Sequence, residues 1–446
     1  MPSHHASIRR WILIVMLLAG LLPAAAAGSS PQAPPAGLTP VEWRDIQAQL
    51  PPSAPAQEAY LKSGNVGADD GLGYAVAVSG DTLVVSAPKE DSGTTGVNTI
   101  PNEAAPQAGA AYVFVRSGAT WVQQAYLKAA NAEKGDSFGF SVAIDGDTIV
   151  VGATQEDSAT TGVNTTPNEA ANGSGAAYVF VRSGTTWTQQ AYLKASNAGP
   201  DDSFGVAVAV SGDTIVVGAY GEDSNTTGVN STPNNALSLA GAAYVFGRAG
   251  SAWTQQAYLK ASNTGVNNRF SIGSLFGSSV AIDGDTIVVG AYQEDNGTTD
   301  SDPTGAAHTV GAAYVFVRTG ATWSQQAYLK ASNAGSEDYF AQSVAISGDT
   351  IVIGANGEDS GATGVNGHPN EEVSWSGAAY VFVRSGVTWF QQAYLKASNT
   401  GETDVFGWSV AVDGDTIVVG ANQEDSGTAG VNPTPNEAAP ESGAAY

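Results

Sequence analysis

The stretch "FGFSVAIDGDTIVVGA", Phe138 to Ala153, returns almost unchanged along the chain. Copies begin at Phe204, Phe276, Phe340 and Phe406, and a more divergent one, "LGYAVAVSGDTLVVSA", at Leu72. The glycines of its central turn, Gly80, Gly146, Gly212, Gly284, Gly348 and Gly414, stand 66, 66, 72, 64 and 66 residues apart. A second landmark keeps step: Trp121, Trp187, Trp253, Trp323 and Trp389 follow at intervals of 66, 66, 70 and 66. A fixed period of this length marks a supersecondary unit that cannot bury its own faces, so the copies must stack on one another.

Each unit holds four strand-like runs. In the second unit they are Phe138–Ile144, Thr148–Ala153, Ala176–Arg182 and Thr186–Lys194. β-branched and aromatic residues fill them, and Gly, Asp, Asn and Pro bound them. The first run puts Phe138, Phe140, Val142 and Ile144 on one face and Gly139, Ser141 and Ala143 on the other. A sheet with a bulky face and a small face nests against its own copy. The expected fold is all-β: a β-propeller of six four-stranded blades with a period of about 66. A β-solenoid, the rival, has coils of roughly 20–30 residues. The fourth run, "TWTQQAYLKA", alternates polar and apolar residues and is expected on the rim.

"FG", then "VVGA", then "GAAYVF" resembles the FG-GAP repeat of integrin α-chain propellers, in a bacterial version with a short hairpin. The resemblance covers residues 57–446. Two units depart from it, with Leu72-Gly73 in the first and Phe340-Ala341 in the fifth, and only the first has a Pro, in "SAP" at Ser86–Pro88. The resemblance implies a binding or adhesion function and a calcium loop between the first two strands. Here that connection is only "DGD" or "SGD", as at Asp145–Asp147 or Ser211–Asp213. Two carboxylates on a tight turn cannot supply the six to eight oxygens calcium takes, so the family's calcium site does not carry over.

The resemblance also bears on closure, because the family more often has seven blades. The last unit stops at "GAAY" and reads as truncated, without a fourth strand. A fourth-strand sequence, "QEAYLK" at Gln57–Lys62, precedes the first unit. It is expected to pair with Gly443–Tyr446 and close a six-bladed ring; an open ring lacking a unit is the alternative.

Ahead of the repeats, Arg9 and Arg10 precede a thirteen-residue apolar run, Trp11 to Pro23, and then "AAAAG". This is the pattern of a signal peptide over residues 1–27, too short to span a bilayer; residues 28–56, rich in Pro and Ala, read as a linker. The protein is expected to be secreted or held at the cell surface or in the periplasm. The chain has no Cys, which excludes disulfides and a lipid-anchored cysteine. Without Arg9 and Arg10, 15 basic residues face 42 acidic ones, a net charge of −27. Such a surface repels nucleic acid and anionic membranes and suits cations or basic partners. The expected partner is an extracellular protein or a glycan, and the expected state a monomer with no transmembrane segment in the mature chain.

In a four-stranded blade the first-to-second and third-to-fourth connections lie at one end, and the second-to-third and blade-to-blade connections at the other. The first pair is minimal here, "DGD" and "SGTT". The second pair is long, polar and acidic: Gly221–Gly241 and Ala195–Ser203 in the third unit. Long loops on a rigid scaffold are the usual place for recognition. The fourth unit breaks the pattern there, with Arg269 and Phe270 in one loop and Asp300, Asp302 and His308 in the other. These five are the candidate ligand-binding residues. The candidate calcium ligands are Glu156, Asp157, Glu222, Asp223, Glu358 and Asp359, in the second-to-third loops. No catalytic residue is assigned: His308 and His368 lie in unrelated loops, and no nucleophile–base pair or phosphate-cradling loop occurs. The function expected is an exported, non-catalytic binding or adhesion module presenting acidic loops; a lectin-like, carbohydrate-binding propeller is the alternative, and a hydrolase with converging buried carboxylates comes third. The recurring tryptophans, at matching rim positions, read as packing residues.

Overall fold

The computed structural model describes residues 58–264, 273–295, 309–429 and 434–446. The expected signal peptide and linker lie outside them. Two units divide the chain: residues 58–61 with the turn 116–121, and residues 62–115 with 122–446. In the first unit Arg116 Nη1 lies 3.4 Å from the Glu58 carboxylate, and the Arg116 guanidinium sits over the Trp121 ring.

The second unit carries six antiparallel sheets in chain order, the blades of a propeller, with no helix among the described residues. Blade two is representative: Phe138–Asp145, Thr148–Ala153, Ala176–Ser183 and Thr186–Lys194. The second strands of blades two, three and four, Thr148–Ala153, Thr214–Ala219 and Thr286–Ala291, are buried at every position. Their Ile-Val-Val runs favour extended backbone and suit a strand covered on both faces. Gly146, at φ 53°, begins the two-residue turn into this strand, as a glycine does in a type II′ hairpin.

Blades nest bulky against small. Phe138, Tyr178, Phe180 and Trp187 of blade two pack on Val84, Ala111, Val113 and Ala125 of blade one. Ala143, on the opposite face of the same first strand, joins the cluster shared with blade three. One residue departs from the expected alternation. The register shifts between Phe138 and Ser141, so Phe140 leaves that cluster and its ring meets Tyr74 of blade one, 5.3 Å between centroids.

The repeated glycines sit at the blade junctions. Gly109, Gly175, Gly241, Gly311 and Gly377 each bridge in parallel to the Phe that opens the next blade. A Cβ on Gly175 would run into the backbone of Phe204, and its φ is +76°. Only glycine satisfies both the close approach and the left-handed backbone.

The fourth strand is less of a rim than expected. Its first half alternates, but Ala191–Lys194 are buried. In blades two and three the second-to-third loop turns back as Gly162–Val163 and Gly228–Val229, which pair outside the fourth strand.

Of the segment expected to close the ring, Gln57 lies outside the described residues. Residues 58–62 form no strand, and Ala444–Ala445 pairs only with the second strand of blade six, Thr416–Ala421. The segment's Glu58 is instead engaged by Arg116. First-strand side chains differ between blades: Val280 and Ile282 of blade four are 8% and 9% exposed, whereas Val76 and Val78 of blade one are 63% and 64% exposed.

Candidate binding face

Second strands end where first strands begin, so the second-to-third loops and the lead-in loops gather at one end of every blade. Each second-to-third loop opens on Glu-Asp, followed by Ser in every blade but the fourth, and the glutamate turns inward. Glu156, buried, lies 2.9 Å from Lys194 Nζ through Oε2. Its Oε1 accepts from Tyr192 Oη at 2.7 Å and from Asn131 Nδ2 at 3.1 Å. The same group recurs as Glu90–Lys128, Glu222–Lys260, Glu294–Lys330 and Glu358–Lys396, at 2.7–3.0 Å. Lys194 also donates to the carbonyl of the junction glycine Gly175. The charge pair thus ties the loop's start to the fourth strand and to the blade junction. Burial lowers the pKa of each of these lysines, and the facing glutamate opposes that shift. The sequence held one signal of this pair, a constant spacing of 38 residues in four blades.

The neighbouring aspartates are also bound. Asp157, Asp223 and Asp359 accept from the backbone N–H groups of Gly173, Leu239 and Trp375 at 2.7–3.0 Å. The six candidate calcium ligands therefore lie in three separate blades, each engaged by protein donors. They do not present the six to eight oxygens of a calcium site. Among the described residues, no three His, Asp or Glu side chains gather to hold a metal.

The lead-in loops bury a second set of acids. Asp136, Asp202, Asp338 and Asp404 each accept a backbone N–H from three residues earlier, at 2.7–2.8 Å. Burial raises their pKa to about 7 at the first three and about 6 at Asp404. The nearby glutamates, Glu156, Glu222, Glu358 and Glu424, push the same way.

The opposite end is taken up by contacts between blades. Trp187, Trp253 and Trp389 are buried, and their Nε1–H groups donate to Gln124, Gln190 and Gln326 of the preceding blade at 2.8 Å. Arg182, stacked 5.0 Å over Trp187, pairs with Asp147 and donates to Thr82 of blade one. Asp145 accepts from the turn glycine Gly212 of blade three. These tryptophans and turn carboxylates are fixtures of packing.

The junctions of Phe-Gly against Gly-Ala explain why that motif recurs. A model of the FG-GAP repeat matches six times, over residues 55–114, 121–180, 187–246, 253–316, 323–382 and 389–446. The chain belongs to the FG-GAP repeat family. No curated protein matches it in sequence. Among solved structures it is similar to the crystal structure of Saccharomyces cerevisiae Sqt1, at 7% identity and a TM-score of 0.38, covering 80% of this chain and 82% of that one.

The FG-GAP core accounts for what is the same in every blade. The Glu-Asp pair and the glycine before "AAY" recur in all six blades, and the Gly-Val-Asn step, present in blades one, two, three and five among the described residues, is structural too. Asn164, for instance, exchanges backbone and side-chain hydrogen bonds with Tyr192. The blades differ chiefly in the rest of these loops. Arg269, Phe270, Asp300, Asp302 and His308 fall outside the described residues.

Proposed function

We propose that this FG-GAP propeller is an exported, non-catalytic binding and adhesion module. Its recognition surface is the acidic loop end, and its partner is an extracellular protein or glycan. One observation carries this reading: the contrast between the two ends. At the turn end, each of Arg182, Arg248, Arg318 and Arg384 pairs with an aspartate of its own blade and donates to a threonine of the preceding one. At the loop end, the loops are pinned from beneath by buried Glu–Lys pairs, while Glu133, Glu169, Asp201, Glu371 and Glu402 are exposed. None of these five takes part in an ion pair among the described residues. A rigid scaffold holding uncompensated acids outward suits recognition rather than packing. The buried carboxylates support a non-catalytic reading, because each already serves a backbone N–H or a lysine.

The test compares two multiple variants in a cell-surface retention assay. Glu133→Gln, Glu169→Gln, Glu371→Gln and Glu402→Gln neutralise the loop end. Thr186→Gln, Thr322→Gln and Thr388→Gln alter exposed positions at the turn end. Loss of retention in the first and its survival in the second is expected. Equal loss, or loss in the second alone, refutes the assignment.

A further inference from the structure

Two positions at the loop end have left-handed backbone in every blade. The residue before the Phe-Gly step is Gly71, Ser137, Ser203, Leu275, Tyr339 or Val405, with φ between 54° and 72°. The residue two before the junction glycine is Gln107, Gly173, Leu239, Thr309, Trp375 or Glu441, with φ between 52° and 60°. Bulky side chains are disfavoured in this region of backbone space. Blade five nevertheless places a Tyr and a Trp at the two positions.

Their rings meet, with centroids 5.5 Å apart and planes at 54°. Tyr339 in turn meets Tyr292 of blade four, 6.0 Å away. The three rings form a row across two blades. Trp375 is 38% exposed, and the other two are half-buried. The backbone geometry does not require these rings, since blade two closes it with Ser137 and Gly173; Tyr339 also packs over Gly357, where a Cβ would meet its ring.

Ser374, next to Trp375 in the chain, lines an open depression of about 410 Å³ together with Glu371, Glu372, Val373, Thr400, Gly401 and Glu402. The Thr400 hydroxyl already donates to the carbonyls of Ala362 and Ala397. The charged lining is therefore made of hydrogen-bond acceptors. A ligand here must supply donors along its edge and flat apolar faces to lie on the rings. The rings follow one another at 5.5–6.0 Å with planes turned by 54° and 62°, so they offer separate faces at successive angles, which suits the successive sugar rings of an oligosaccharide. A protein interface would need an extended apolar core, whereas this ledge is edged by carboxylates.

We propose that Tyr292, Tyr339 and Trp375 form a stacking ledge, and Glu371, Glu372 and Glu402 a hydroxyl-accepting rim, for a neutral oligosaccharide. This rests on the reading of the loop end as a binding face. An anionic glycan is disfavoured by the rim.

The test pairs Tyr339→Ser with Trp375→Gly, which installs blade two's residues and relieves the left-handed backbone. The purified chain and this variant are read on an array of neutral, anionic and basic glycans with Lys/Arg-rich peptides alongside, and hits are titrated. The wild type is expected to hold neutral glycans. The variant should lose at least tenfold in affinity while melting at the same or a higher temperature. Glu371→Gln with Glu402→Gln provides a second measure, expected to weaken the same glycans severalfold. A wild type that holds no neutral glycan, or a Ser/Gly variant that binds as well as wild type, overturns the proposal. Binding confined to basic peptides and lost in the variant overturns it in favour of a cationic ligand. Cell-surface retention that survives both variants refutes the ledge yet leaves the loop end as a binding face.

Discussion

Replacing Lys260 by Met removes a buried charge while keeping most of the side chain's length. In the folded protein Lys260 Nζ lies 2.7 Å from Glu222 Oε2 and 2.6 Å from the carbonyl of Gly241, and both members of the pair are buried. The variant leaves Glu222 without a cation. Three donors remain: Tyr258 Oη at 2.9 Å, Asn197 Nδ2 at 2.9 Å and the Ser224 N–H at 3.1 Å. Breaking a buried pair from one side costs about 3–5 kcal/mol, and the three surviving bonds place this site at the low end, about 3 kcal/mol. Glu222→Gln, which strands the lysine instead, is expected to cost about as much. The double variant, Lys260→Met with Glu222→Gln, leaves no uncompensated charge and should lose only about 2 kcal/mol, giving a coupling energy of about 4 kcal/mol. Urea unfolding measures all three, followed by tryptophan fluorescence and far-ultraviolet dichroism. Trp253, in the same core cluster as Tyr258, reports on the site directly. Coincidence of the two probes shows whether the blades unfold together. A loss below about 1 kcal/mol in Lys260→Met, or losses that simply add in the double variant, would show that the pair does not hold the loop.

Other perturbations follow from the same geometry. Asp202, raised by burial from 3.8 to about 7, favours the folded state most below its unfolded pKa, and that contribution disappears as pH rises from about 4 to about 7. Asp202→Asn, which keeps the acceptor for Gly199, should therefore gain stability over wild type across that window and hold the gain above it; a difference independent of pH would count against burial as the cause. Millimolar calcium and a chelator should give the same melting temperature, because Glu156, Glu222 and Glu358 are lysine-paired; a rise with calcium, which would require a binder specific to the native state, would show that assignment of the carboxylates to be incomplete. Gly241→Ala should destabilise by more than about 2 kcal/mol, since its φ is +76° and a Cβ would meet the backbone of Phe276. Gly250→Ala has no neighbour in the way and should show only the smaller cost of its positive φ.

Blade number, strand order and turn positions were legible because one run of Thr, Ile and Val, one turn glycine and one Phe-Gly step recur at a fixed interval. The nesting of Phe138 against Ala111 and Val113 could likewise be read from alternation. Phe140 was misplaced because a register shift between Phe138 and Ser141 leaves no trace in composition. The loop glutamates read as candidate calcium ligands because their lysines lie 38 residues away, on a strand whose end looked like a rim. The N-terminal strand was matched to blade six by likeness alone, which does not report that Glu58 has Arg116 as its partner. Tyr339 and Trp375 went unremarked because each is one aromatic in a polar loop; only the backbone angle they share with Ser137 and Gly173 sets them apart.

The junctions link each blade to its immediate neighbours, and every contact has one half on each side: Gly175 to Phe204, Trp187 to Gln124, Asp145 to Gly212. Duplicating a blade therefore supplies both halves of a new interface, and the array can gain or lose a unit without any side chain having to adapt. Stability then behaves as a sum over nearest neighbours. Val76 and Val78 of blade one and Val418 of blade six are exposed where their counterparts in blade four are buried, so amide hydrogen exchange should be fastest at these strands.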